Sequence, residues 1–420
     1  MNSLKLVLVV FAIFSTQSIQ AQTQSDSTKN QALNLYLNCD YCFDSFLKTE
    51  IKCVNYVRDR QDADVDLLIT SQMTGSSGTE YELFFIGNKK FFGVNDTLKY
   101  MANSVNTEDD TRNGLVQVIQ IGLMRYVGHS CYASRVKIAL SENQKDSTSD
   151  SQVIDPWKSW VFNIGGNANL TGEKSTNSQN YTGSFSANRT TEKIKIDFNI
   201  YQNYGSNIFI YGDSKIISIS KSLSSYAQVV KSINEHWSYG VIAGAGSGTY
   251  NNKKLYYSGS PALEYNVFKY SESQRKQFTM AYYIGPTHTE YIDTTIYDKI
   301  EEDYFQQRLN VSLSVRQPWG SLYLSATGTH MLNDFQKNNV TMYASADLRL
   351  FKGLSLNFYM SYELVHDQIS LPRFGASEEE LLLHRKEIET SYRFSLYSGI
   401  TYRFGSMYNN VVNTRLSGGI

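Results

Sequence analysis

From Trp157 to Phe404 the chain alternates apolar and polar residues in blocks of about ten, a period of two that belongs to strands with one apolar and one polar face. Ile194, Ile196, Phe198 and Ile200 alternate with Lys193, Lys195, Asp197, Asn199 and Tyr201. Leu309, Val311, Leu313 and Val315 alternate with Asn310, Ser312, Ser314 and Arg316, and Val340 to Leu350 and Leu354 to Met360 repeat the pattern. The last block sets Tyr392, Phe394, Leu396, Ile400, Tyr402 and Phe404 against Arg393, Ser395, Tyr397, Thr401 and Arg403. Less regular blocks near 158–170, 178–190, 216–231, 238–250, 254–269, 278–286 and 321–331 bring the total to about twelve, an even number as single-chain outer-membrane barrels require. The Ser-rich block at 216–231 leaves open which of its sides is the apolar one.

A soluble all-β protein or a β-helix would also alternate. The 31 Tyr and 21 Phe against 5 Pro favour long strands in contact with lipid. The expected fold is therefore mainly β: a transmembrane, antiparallel β-barrel of about twelve strands over 157–404, preceded by a small α/β domain. A formal net charge of −1 excludes the basic field that nucleic-acid binding needs.

Connection lengths test that topology, because outer-membrane barrels have short periplasmic turns and longer outer loops. With the N-terminal domain in the periplasm, the tight connections at 190–192, 233–236, 271–277, 317–320 and 351–353 fall on the periplasmic side. The long ones at 205–215, 287–304 and 365–385 fall outside. Within the last, Ala376 to His384 has an acidic start and an apolar centre, which leaves open a cap over the barrel, a segment folded into it, or a contact surface outside.

Lys5, the apolar run Leu6 to Phe14 and the small polar stretch ending at Ala21 read as a signal peptide over 1–21, followed by a flexible segment 22–32. The apolar run falls short of the roughly 20 residues of a spanning helix. Residues 33–141 have a different texture. Strands are expected at Leu33–Leu37, Val65–Gln72, Glu80–Ile86 and Thr97–Tyr100, with one helix around Phe43–Arg58. A second helix follows Thr107, with Glu108, Asp109 and Asp110 in its first turn, where the helix dipole favours acids. Segment 142–156 reads as a linker, and 405–420 as a tail returning to the periplasm beside the small domain.

The runs Lys52–Arg60 (KCVNYVRDR), Ala63–Thr70 (ADVDLLIT), Tyr81–Gly87 (YELFFIG) and Asp96–Tyr100 (DTLKY) resemble a family of Bacteroidetes-type outer-membrane β-barrel proteins with an N-terminal periplasmic α/β domain. Tyr402–Gly405 matches the Tyr-Arg-Phe-Gly strand that ends those barrels. The resemblance implies the fold and an outer-membrane location, and it carries no activity to any residue.

Three sets of residues are candidates for chemistry. Cys39, Cys42, Cys53 and Cys131 predict one or two disulfides in an oxidising periplasm, with three full pairings open and redox chemistry at Cys39-x-x-Cys42 the lesser reading. The charge run Arg58–Asp64 reads as a solvated helix end, or else as an anchor for a partner. Lys193, Lys195, Arg316, Arg349 and Arg403 share the lumen parity and fall near periplasmic strand ends, which predicts a basic inner mouth. Such a mouth favours anions, docks an acidic partner, or pairs with the lumen carboxylates Asp197, Asp347 and Glu363. The histidines at 236, 288, 330, 366 and 384 have no spacing that pairs them with a nucleophile, although His288-Thr289-Glu290 and His366-Asp367 offer acid–base couples near outer loops. No catalytic residue, metal or cofactor is expected.

The leading expectation is a non-enzymatic outer-membrane pore or transport or assembly component, bathed in outer-membrane lipid, whose periplasmic domain gates it or docks a periplasmic protein. The alternative is a scaffold with a filled lumen acting through that domain. A barrel-wall hydrolase ranks last.

Overall fold

The computed structural model describes residues 32–39, 42–75, 78–130, 133, 156–211, 214–374, 387–408 and 410. The signal peptide, nearly all of the linker, Cys131 and the segment Ala376–His384 lie outside the described residues.

The N-terminal unit is a five-stranded mixed sheet in the order β2-β1-β3-β4-β5, built from β1 (Leu33–Cys39), β2 (Val54–Tyr56), β3 (Val65–Met73), β4 (Thr79–Gly87) and β5 (Asn95–Ala102). β1 runs parallel to β2 and β3, and the remaining pairs are antiparallel. Two helices, α1 (Asp44–Glu50) and α2 (Glu108–Val127), complete it. α2 begins where the acidic run predicts: Thr107 Oγ1 accepts from Asp110 N at 3.1 Å and Asp110 Oδ2 accepts from Thr107 N at 2.9 Å, a capping box.

One sheet face, carrying Leu33, Leu35, Val65, Leu67, Leu83 and Phe85, packs on Leu115, Ile119, Leu123 and Tyr126 of α2 to make the core. Gly122 permits the close approach, since a Cβ there would meet the Phe85 ring at 2.1 Å. The opposite face carries Tyr36 and Asn38, Asp66, Leu68 and Thr70, and Glu80, Glu82 and Phe84.

The predicted helix Phe43–Arg58 is corrected. Only seven residues are helical, and Val54–Tyr56 form β2 against the start of β1. Val54, Asn55 and Tyr56 are all buried, so pairing with β1 and burial on both faces prevail over the local helical spacing.

The second unit is a twelve-stranded antiparallel meander in which each strand pairs with its sequence neighbours. Its strands are β6 (Trp160–Gly172), β7 (Thr176–Thr190), β8 (Ile194–Tyr211), β9 (Ser214–Ser232), β10 (Trp237–Gly248) and β11 (Lys253–Asn266). They continue as β12 (Lys276–Tyr291), β13 (Glu301–Gln317), β14 (Gly320–Met331), β15 (Asn338–Phe351), β16 (Leu354–Val365) and β17 (Tyr392–Tyr402). The expected closure does not occur: β6 and β17 are the two edges and do not pair. Alternation dictates which face of each strand is apolar, whereas closure depends on tilt and stagger summed over every strand.

Directly paired residues share a face, so the register carries each face across the whole sheet. Ile164 lies opposite Phe185, Phe185 opposite Ile200, Phe198 opposite Ala227, and Val229 opposite Val241. The same face continues through Leu263–Tyr282–Leu309, Leu313–Leu324–Ala344 and Met360–Leu396. The undecided block 216–231 is thereby resolved: Ile217, Ile219, Leu223 and Val229 stand on this face. Side chains at its middle remain uncovered, with Val241 54 %, Leu309 47 % and Met342 45 % exposed. The other face is lined by Asn, Ser, Thr, Tyr and charged residues.

The loop-length asymmetry is smaller than expected. Residues 205–211 and 287–291 belong to strands, as do 301–304, so that β8 and β9 reach 18 and 19 residues. A sequence reading that follows alternation stops where apolar residues stop, but a hydrogen-bonded ladder continues through Tyr, Asn and Ser. Only the β16–β17 connection remains long; of its described parts, 366–374 and 387–391, the first folds back so that Leu371 O accepts from Ile296 N at 2.8 Å and Ser370 O from Asn252 Nδ2 at 2.8 Å.

Candidate functional site

The site is the junction where the free face of the small sheet meets the turn end of the large one. The β15–β16 turn meets the charge run: Gly353 N donates to Asp59 Oδ2 at 2.6 Å and Lys352 Nζ lies 2.6 Å from Asp62 Oδ1. Gly353 has φ +74°, and a Cβ there would meet Arg403 O at 2.1 Å, so this turn needs glycine. The β11–β12 turn contributes Gln274, which accepts from Thr70 Oγ1 at 2.8 Å and donates to Glu80 Oε1 at 2.9 Å. Beside it the Arg275 guanidinium sits 4.9 Å from the Phe84 ring. Arg349 reaches across with Nη2 3.1 Å from Asn38 Oδ1 and its guanidinium 4.8 Å above the Tyr36 ring.

The chain end joins the same junction. Val57 bridges to Tyr408, Arg58 N donates to Met407 O at 2.9 Å, and Asn410 Oδ1 accepts from Tyr56 N. The tail thus extends the β2 edge. The charge run is not a solvated helix end: Asp59 and Asp62 hold the turn, Asp64 Oδ2 accepts from Asn34 N at 3.0 Å, and Arg60 pairs with buried Asp66. Burial pushes the Asp66 carboxyl up to about 6 despite Arg60 and Arg349 beside it.

Two cavities open within the junction. One of about 360 Å³ lies between the charge run and the 349–355 and 402–407 segments. The other, about 720 Å³, is lined by β1 and β3 on one side and by the polar face of the large sheet on the other. Of the five basic residues expected at an inner mouth, Arg316, Arg349 and Arg403 line this second cavity together with Asp347. The other two do not. Lys195 pairs with Asp197 at 3.3 Å, and Lys193 occupies the β7–β8 turn. Glu363 accepts from Asn339 Nδ2 at 2.9 Å and faces Arg393 at 3.7 Å, near the opposite end of the strands.

Cys39 and Cys42 form a disulfide that closes the end of β1, with Cys42 buried and Cys39 on the wall of the larger cavity. Cys53 is a free thiol whose pKa burial raises. The histidine partners are the Asn266 carbonyl for His236, Asp303 for His288 at 2.7 Å, Gln307 for His330 and Asn338 for His366, and none of these is a hydroxyl or thiol. His288 pairs in register with Asp303 on the apolar-face parity, and Glu290 is engaged by Lys254 at 2.9 Å. Asp367, in the loop, has its pKa raised by burial and accepts from Asn339.

Sequence reasoning missed Tyr36, Asn38, Gln274, Arg275 and Gly353. The signal for Gly353 was present as Phe351-Lys352-Gly353, a tight turn with glycine in a left-handed position; the others belong to a docking face that no periodicity marks. No protein-family model matches the chain, and no curated protein matches it.

Proposed function

We propose that the chain is an outer-membrane β-barrel of twelve strands whose mouth is held shut by its own N-terminal domain, making it a small gated pore or transport component. The observation that carries the reading is the division of labour between sheet faces. Soluble proteins do not leave an apolar face of twelve strands uncovered, and a patch of that extent marks a membrane or protein contact. Alternation with a polar opposite face, on strands of 11 to 19 residues where about 9–11 suffice to cross a bilayer, fits lipid outside and a polar lumen inside. The free face of the small domain, which a partner protein would need, is already occupied by Arg275, Arg349 and the 351–353 turn. Gating therefore fits better than docking of a separate protein. In this reading the domain lies in the periplasm, on the side of the short turns.

The test is conductance of the mature chain in planar bilayers with and without residues 33–141. Discrete channels that open on removal of the domain are the expected result; identical silence in both forms would overturn the pore. That second outcome would favour a scaffold with a filled lumen, a reading supported by the tyrosines on the polar face. Arg308 lies 4.2 Å from the Tyr283 ring, and Tyr343 packs against Tyr323 and Tyr359 at 5.5 and 5.2 Å.

A further inference from the structure

The larger junction cavity has an unbalanced lining. Among the described residues Asp347 is its one carboxylate, and that group already accepts from Asn357 Nδ2. Three guanidiniums face it. Arg349 is committed: it donates to Pro318 O at 3.2 Å and Asn38 Oδ1 at 3.1 Å and stacks on Tyr36. Arg316 and Arg403 make no side-chain hydrogen bond or ion pair among the described residues; Arg316 lies in β13 and Arg403 one residue past the end of β17. Register explains their convergence. Arg316 pairs with Ser321 and Ser321 with Asp347, while Arg349 pairs with Ser355 and Ser355 with Thr401, so these share the polar face at the turn end. Arg403 follows two residues after Thr401, held by its N–H donating to Gly353 O at 2.7 Å, and lines the same cavity.

We infer that this cavity is a binding site for a phosphate-bearing small molecule, with Arg316 and Arg403 as the ligating forks and Arg349 as the wall that ties the site to the docked domain. A guanidinium offers paired N–H donors that match the oxygen geometry of phosphate, and two unpaired forks on one cavity favour a multiply charged oxyanion over chloride. A volume of about 720 Å³ exceeds that of bare phosphate and suits a phosphorylated metabolite. The forks lie on the polar face, away from lipid, so a soluble phosphate is the ligand and a lipid headgroup is not. The inference uses the docked domain of the proposed gate but requires neither conduction nor a bilayer.

The full chain in a neutral maltoside detergent is titrated calorimetrically with inorganic phosphate at low ionic strength, and separately with vesicles with and without phosphatidylglycerol. Saturable binding of one phosphate per chain is expected, weakened about tenfold by R316Q or R403Q and lost in the double variant, since each charge-assisted contact contributes on the order of 1.5 kcal/mol or more. R189Q, whose side chain contacts Lys158 O at another turn, retains full affinity. R316K/R403K, which keeps the charge and loses the fork, binds more weakly than the wild type and more tightly than R316Q/R403Q. Unchanged circular dichroism and heat-modifiable migration establish that the variants fold. Absence of saturable phosphate binding, equal affinity in R316Q/R403Q, or binding confined to phosphatidylglycerol vesicles overturns the assignment.

Discussion

Asp59 couples the two units through one carboxylate: Oδ1 accepts from Gln61 N at 2.9 Å and Oδ2 from Gly353 N at 2.6 Å. Its replacement by alanine leaves the Gly353 amide without its partner, a loss of about 1–3 kcal/mol for a hydrogen bond to a charged group. D59A should therefore speed amide exchange at Gly353 by tenfold or more, by mass spectrometry, while the Gly320 amide, which is paired with Gln317 within the β13–β14 hairpin and not with Asp59, is unchanged. Asp66 makes the opposite kind of contribution. Its carboxyl is raised to about 6 in the folded state, against about 3.9 when unfolded, so the folded state binds the proton more tightly. That stabilisation is complete below about pH 4 and is lost as pH rises through about 6, leaving a cost of roughly 3 kcal/mol at neutral pH. In D66N this dependence is absent, so the stability difference between wild type and D66N, read from thermal unfolding of the full chain, should change between about pH 4 and about pH 7 and be flat above. Parallel curves through that window would mean the carboxyl is not buried beside Tyr36, Arg60 and Arg349.

Among the elements, those with an unbroken period were legible and those set by long-range pairing were not. The blocks at Ile194, Leu309, Val340 and Leu354 return as β8, β13, β15 and β16, and the acidic run after Thr107 returns as a capped helix. The three residues of β2 could not be read, because they become a strand only by lying against Leu33–Leu35. Likewise the basic mouth was half legible. Parity placed Arg316, Arg349 and Arg403 on one face, but parity does not say that Lys195 would be taken by Asp197 or that Lys193 would sit in a turn. Adjacent residues on one strand test the faces directly. Leu313 lies opposite Phe278 and Leu324 on the apolar face, while Ser314 lies opposite Gln277 and Tyr323 on the polar one. L313K should cost about 2–4 kcal/mol of membrane stability, seen as a lowered urea midpoint in vesicles, while S314K should be close to neutral. Equal effects of the two would contradict a lipid-facing side.

For the molecule as a whole the open seam is the feature with the largest energetic consequence. β6 and β17 span 13 and 11 residues, and each leaves the backbone groups of one edge without a strand partner among the described residues. In water such an edge is solvated; in hydrocarbon each unsatisfied N–H or C=O costs several kcal/mol, so two such edges forfeit on the order of tens of kcal/mol. If the sheet enters a bilayer, as the proposed function requires, that cost would drive β6 and β17 together. The two strands suit that pairing: both lie at the ends of a meander with an even number of strands, which makes them antiparallel, and both continue the same apolar face through Ile164 and Leu396. Hydrogen exchange in nanodiscs provides the measurement. Amides of β6 and β17 should be protected to the degree of central β12, including the alternate amides that point away from β7 and β16. Fast exchange of those alternate amides, with β12 protected, would mean that the seam stays open in the bilayer and that the sheet does not enclose a pore.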